Sequence, residues 1–184
     1  MMQRLNAIGN LTGDRNAMLK LISEEERRLP NDHMVYVLKG WALGGMGEYG
    51  KAVKAFDRAI QLNPRSAWAY YRKGEVLRDQ KKFREALDCF AKAAQLKPKR
   101  TDFWLEKGRA EEELSQMNAA LQSFENAVSR GENTGWGWYG KSRILAYLGR
   151  LEEALEACRM AIGINRREEE FKMHEKFIQE LLRE

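Results

Sequence analysis

Shifted by the interval that separates Lys39 from Lys73, the sequence falls back on itself. Lys39-Gly40 recurs as Lys73-Gly74 and Lys107-Gly108, then as Lys141-Ser142. A ring stands three residues before each lysine: Tyr36, Tyr70, Trp104 and Trp138. Downstream run two rows of alanine, Ala52, Ala86, Ala120, Ala154 and Ala59, Ala93, Ala127, Ala161, with Phe56, Phe90, Phe124 and Cys158 between them. The rows match without gap or insertion, so the chain is an array of one supersecondary unit. No such unit closes a core alone. Each buries its apolar face on its neighbours, which commits the chain to a stacked architecture.

Within a block, Phe83, Ala86, Leu87, Phe90, Ala93 and Ala94 recur at three- and four-residue steps, the signature of one helix face. The spacing predicts two amphipathic helices per block, joined by turns near Gly47, Lys81, Ser115 and Gly149. Small residues at fixed places call for close backbone approach, and the rings opposite fill the remaining space. Asn31-Asp32 offers capping oxygens to the first complete block. Later first helices begin after Ser66, near Thr101-Asp102 and after Asn133-Thr134.

This pattern resembles the tetratricopeptide repeat over residues 33–166. The resemblance implies an all-α fold, a right-handed superhelical solenoid of antiparallel helix pairs whose concave groove is walled by the first helix of each pair. The expected layout is one solenoid domain over 1–184, with a partial repeat at 1–32 and repeats at 33–66, 67–100, 101–134 and 135–166. In the partial repeat Leu5, Ile8 and Leu11 are expected to form a short helix broken at Gly13, and Ala17, Met18, Leu21 and Ile22 to give the apolar face of the next. After Asn165 the repeat stops, and 167–184 reads as a capping helix with Phe171, His174, Ile178 and Leu181 on its inner stripe and a polar outside. Met173 and Phe177 give that helix a second apolar flank. Pro64 and Pro98 close their blocks, whereas Glu132 and Arg166 hold the matching places later, and Glu111 stands where Leu43, Leu77 and Leu145 recur.

Composition narrows the function. Lysine and arginine number 32 against 27 aspartates and glutamates, a net +5 with both signs interleaved. Such a balance serves solubility more than capture of nucleic acid. No apolar run approaches the roughly 18 residues of a membrane span, and Met-Met-Gln-Arg-Leu-Asn opens no signal-peptide core, so a cytoplasmic protein is expected. Cys89 and Cys158 lie in second helices two repeats apart and read as reduced core thiols. His33 and His174 are the only histidines, and no pair has zinc-ligand spacing. No cofactor is expected, and no catalytic constellation recurs.

Gly135 to Ser142 fits the phosphate-loop pattern G-x-x-x-x-G-K-[ST]. The polar residues before it are no strand, and Trp138 and Lys141 sit on repeat rows, so a helix is expected there instead of a nucleotide loop. Lys107 precedes Glu111 by four residues, the spacing of an ion pair on a helix face. Lys39, Lys73, Lys107 and Lys141 are expected to pack their stems and hold their heads in water. Arg65, Lys97, Lys99, Arg100, Arg130, Arg166 and Arg167 stand at the block junctions, where they complement helix C-termini.

What remains is the groove. The resemblance places there Val37 and Trp41; Trp68, Tyr71, Arg72, Glu75 and Arg78; Leu105, Arg109 and Glu112; Trp136, Tyr139 and Arg143. Aromatic residues and arginine are enriched at binding hot spots. The expected function is a non-catalytic scaffold that binds a peptide or protein segment. The alternatives are self-association into a homo-oligomer through the solenoid ends, and RNA binding along the basic edge. Members that grip the C-terminal carboxylate of heat-shock chaperones use lysines, asparagines and an arginine. The corresponding positions here are Val37, Trp41, Arg72, Asp102 and Glu106, which form no such clamp.

Overall fold

Ten helices and no strand make up the described residues, 15–130 and 134–183, of the computed structural model. They are α1 (Arg15–Arg28), α2 (His33–Gly45), α3 (Tyr49–Leu62), α4 (Ala67–Asp79), α5 (Phe83–Leu96), α6 (Thr101–Glu113), α7 (Met117–Arg130), α8 (Gly135–Tyr147), α9 (Leu151–Ile164) and α10 (Glu169–Leu181). Their boundaries recur at the interval of the lysine row, with α2, α4, α6 and α8 as first helices and α3, α5, α7 and α9 as second ones. The register runs further than the side-chain rows. α1 begins one such interval before α3, as a second helix should, and α10 begins one interval after α8, as a first helix should. The helix spacing therefore runs on past Asn165, where the side-chain rows lapse. Leu5, Ile8, Leu11, Gly13, Glu132 and Asn133 lie outside the described residues.

Each turn between paired helices is closed in the same way. Gly47, Lys81, Ser115 and Gly149 take positive φ, between 58° and 78°. The next N–H reaches back to the helix, from Glu48 to the Leu43 carbonyl, Lys82 to Leu77, Gln116 to Glu111 and Arg150 to Leu145, at 2.9–3.0 Å. These are Schellman closures, in which a left-handed residue lets two orphan carbonyls find donors. At the starts, Asp32 caps α2 by accepting the Met34 N–H at 2.9 Å. Ser66 and Thr134 make no side-chain cap, and Arg100 is the N-cap of α6, so the capping expectation fails there. The backbone carbonyls of Ser66 and Thr134 carry those starts, accepting from Ala69 and Tyr70 and from Gly137 and Trp138.

The chain falls into two compact units, one ending at Leu96 and the other beginning at Lys97. In the first, α1 packs on α2, α2 on α3, α3 on α4 and α4 on α5. In the second, α6 packs on α7, α7 on α8, α8 on α9 and α9 on α10. Both alanine rows and Phe56, Phe90 and Phe124 are buried. The glycine row is explained by those rings. A Cβ on Gly40 would lie 2.7 Å from Phe56, one on Gly74 2.7 Å from Phe90, and one on Gly108 2.9 Å from Phe124. In the fourth block the pair becomes Ser142 and Cys158, both buried, and the Ser142 hydroxyl donates to the Ala154 carbonyl at 2.7 Å. Gly140 then admits Phe124 from its other side, where a Cβ would stand 2.6 Å from the ring. Burying each phenyl is worth about 1.5–3 kcal/mol.

The row lysines end on carboxylates rather than in open water. Lys39 bonds Glu26 at 2.6 Å, Lys73 bonds Asp57 at 2.7 Å and Lys141 pairs with Glu125 at 3.1 Å, each on the preceding helix. Burial pulls the Lys73 ammonium down, but the Asp57 hydrogen bond and charge outweigh it and raise the pKa. Lys107 turns inward instead. It donates to Glu111 at 2.6 Å and to the Ser123 hydroxyl at 2.8 Å, and that hydroxyl donates to the second Glu111 oxygen at 2.5 Å. Glu111 replaces the block leucine as the acceptor of this triad, so the ion pair expected on the helix forms with its carboxylate buried and its lysine partly exposed.

Candidate binding surface

In the first unit the side chains proposed from sequence gather around one arginine. The Arg72 guanidinium lies 5.6 Å from the Trp68 and Tyr71 ring centres and 6.0 Å from that of Trp41. Its Nη1 donates to Glu75, one turn on, at 2.8 Å. Trp68 meets Tyr71 edge to face at 5.6 Å, and Tyr71 tilts onto Phe90 at 5.9 Å, which ties this half-buried cluster to the core. Trp41, Arg72, Glu75 and Arg78 border a cavity of about 190 Å³ floored by Val76. Arg78 reaches Asp79 at 3.3 Å. Val37 is buried with Phe56 and belongs to the core, not to the surface.

The second unit repeats the chemistry with other partners. Arg109 donates to Glu106 at 2.8 Å and lies 6.0 Å from the Trp136 ring. Arg143 donates to Glu112, thirty-one positions earlier, at 2.6 Å, and lies 5.8 Å from the Tyr139 ring. Burial raises the Glu112 pKa, against the pull of Arg143. Leu105 is half-buried and packs on the core below. Each of the three arginines thus stands near a ring with a carboxylate already bound. That arrangement holds a guanidinium in place and leaves little net charge around it.

Tyr139 is not the open anchor expected from sequence. Only 8% of it is exposed, because Phe171 of α10 stacks on its ring at 4.7 Å. Its hydroxyl donates to Glu170 at 2.8 Å, and burial, with that hydrogen bond, pushes its pKa up to about 12. Trp136 packs edge-on against both Tyr139 and Phe171 yet remains exposed. The covering helix is the element whose register the side-chain rows concealed. Its own exposed residues, Met173 and Phe177, occupy the positions of Tyr139 and Arg143 one repeat later.

The segment that matches a phosphate loop is helix α8 throughout. A Cβ at Gly135 would overlap Asn165 Oδ1, and one at Gly140 would press on Phe124, so packing accounts for both glycines. Lys141 holds Glu125 and Ser142 holds Ala154. Burial pushes both thiols, Cys89 and Cys158, up to about 11, and both are free. Among the described residues no three potential metal ligands cluster, and no helix is long and apolar enough to cross a membrane. Of the junction cations, Arg100 is held by Asp102 at 2.6 Å and Arg130 sits 5.2 Å from the Trp104 ring.

The sequence profile of the tetratricopeptide repeat matches residues 37–101, 74–134 and 105–168. The chain belongs to the tetratricopeptide repeat family. Solved tetratricopeptide structures share its fold. YrrB, described as having an unusual peptide-binding site, superposes with a TM-score of 0.76 at 23% identity, over 88% of this chain and 84% of its own. MamA superposes with a TM-score of 0.78 at 17% identity, over 88% and 94%. The thermophilic protein TTC0263 of Thermus thermophilus gives 0.69 at 18% identity, over 97% and 98%. No curated protein matches by sequence. At these identities the likeness shows the tetratricopeptide fold alone, and the family is generally one of protein-interaction scaffolds.

Proposed function

We propose that this tetratricopeptide protein is a non-catalytic scaffold that holds a peptide or protein segment on the faces of its first helices. The observation that carries the reading is the recurrence of one local device. Arg72, Arg109 and Arg143 each lie beside an aromatic ring and are each bonded to a carboxylate, on α4, α6 and α8. A surface that sets rings and arginines in this way, outside the buried core, has the composition of a hot spot. That a solved relative in fold is described as peptide-binding supports the same class of partner.

The partner is a segment that mixes apolar anchors with acidic side chains. Trp68 and Tyr71 supply aromatic area beside Arg72 in the first unit, and Trp136 supplies it beside Arg109 in the second. A ligand carboxylate must share an arginine with Glu75, Glu106 or Glu112, so uniformly acidic segments are disfavoured. The test is capture of a partner from native lysate, followed by titration against Trp68→Ala, Tyr71→Ala and Arg109→Ala, each first shown to fold by circular dichroism. Loss of about 2 kcal/mol or more at Trp68 or Tyr71, and less at Arg109, is expected. Wild-type affinity in all three would refute the reading.

A further inference from the structure

The repeat register of α10 assigns its exposed face. Met173 stands where Tyr71, Leu105 and Tyr139 stand on earlier first helices, and Phe177 stands where Glu75, Arg109 and Arg143 stand. On α4 and α6 both positions belong to the proposed binding surface, and on α8 Arg143 does while Tyr139 is covered by Phe171. On α10 both are apolar and both face solvent, Met173 at 69% exposed and Phe177 at 51%. Large apolar side chains that lie one turn apart on one helix face form a contiguous patch, and such patches mark interaction sites.

Between α8 and α10 lies a cavity of about 350 Å³. Phe177 and Leu181 of α10 line it with Ile144, Ala146 and Tyr147 of α8 and Met117 of α7. His174, stacked on Phe177 at 6.2 Å, also lines it, and its Nε2 is buried without a hydrogen-bond partner. Two charged residues line the space, Arg143 and Glu112, and they are bonded to each other. Exposure decides which sign a ligand meets: the Arg143 side chain is 45% exposed and that of Glu112 only 20%. A guanidinium carries five N–H donors in a planar fork, so one bond to Glu112 leaves room for a second carboxylate.

We propose that this cavity is the specificity pocket of the binding surface, taking one bulky apolar side chain of the partner segment with an acidic residue beside it. The inference rests on the first-helix reading of function and names the chemistry of one end of that surface. The apolar lining suits a bulky apolar side chain, and the more exposed Arg143 suits an acidic neighbour to it.

The probe is the blocked dipeptide Ac-Phe-Glu-NH2, with Ac-Phe-Gln-NH2 and Ac-Ala-Glu-NH2 as controls. Each is titrated into the full chain carrying ¹³C-methyl methionine, with Met117 and Met173 assigned by Met→Leu substitution. Ac-Phe-Glu-NH2 should shift both methyl signals saturably, and the alanine control should not. Phe177→Ala, at an exposed position that tolerates truncation, should weaken binding at least about tenfold. Arg143→Gln should abolish the preference for Glu over Gln while the phenyl group still binds. The pocket is overturned by unshifted methyls, by equal response to Glu and Gln, or by a dimer in sedimentation that Phe177→Ala dissolves. If the captured partner is lost with Trp68→Ala or Tyr71→Ala but binds Phe177→Ala like wild type, the pocket fails alone. If the dipeptide binds as expected while the Trp68 and Tyr71 variants are silent, the wider surface fails and the pocket stands.

Discussion

Glu111 shows what one residue can hide in a repeat. Its three counterparts are leucines, and its own carboxylate is buried between Lys107 and Ser123. Replacing it by leucine restores the common pattern but strands an ammonium and a hydroxyl. Glu111→Leu should therefore destabilise the chain by about 1–3 kcal/mol in urea titrations. Adding Lys107→Met and Ser123→Ala removes both stranded groups, and that triple variant should regain the loss or exceed wild type. The Lys107 pair was legible from its four-residue spacing; the burial of its Glu111 end was not, because Ser123 joins from the other helix of the pair. His174 gives a second residue-scale expectation. Burial, with help from Arg143, holds its pKa below the ordinary 6.5 against the pull of Glu170, so the folded chain keeps it neutral. A depressed pKa contributes stability that is complete above 6.5 and lost as pH falls through the folded value. Melting temperatures measured from neutral pH downward should fall more steeply for wild type than for His174→Phe. Parallel curves would show that the ring titrates freely.

At the scale of the element, the turns are the most regular feature, yet two of them are strained. Ser115 and Lys81 hold φ of 58° and 60°. A left-handed backbone costs a residue that bears a side chain roughly 1–2 kcal/mol. Gly47 and Gly149 hold the same place without that cost. Ser115→Gly should stabilise the chain by roughly 0.5–1 kcal/mol, the relief being partly offset by the freer unfolded chain. Thermal melts decide it, and a lower midpoint would mean that the serine makes a contact worth more than its strain. The turn positions were readable in sequence because two glycines mark the register. The left-handed backbone at the other two was not, since neither serine nor lysine announces it. α10 is the converse case. Its backbone keeps the helix spacing while its side chains abandon the rows, so neither the covering of Tyr139 nor the pocket beside it was visible.

For the whole molecule, the fold was legible because matched rows of alanine, glycine and phenylalanine leave one way to bury them. The surface was legible only in outline. Residue type and spacing identified the arginines, but not that each holds a carboxylate, which for Arg143 comes from Glu112 on another helix. Those internal pairs carry a consequence for kinetics. A partner approaching such a surface meets dipoles in place of bare charges, and dipole fields fade within a short distance of the surface. Association should then run at the unsteered rate, about 10⁵–10⁶ M⁻¹s⁻¹, and change by less than about twofold as salt rises from low to physiological strength. Stopped-flow mixing with a captured partner measures this directly, and a steep decline with salt would mean that the pairs open before contact. With arrival so indifferent to charge, this scaffold would tell partners apart by how long each one stays.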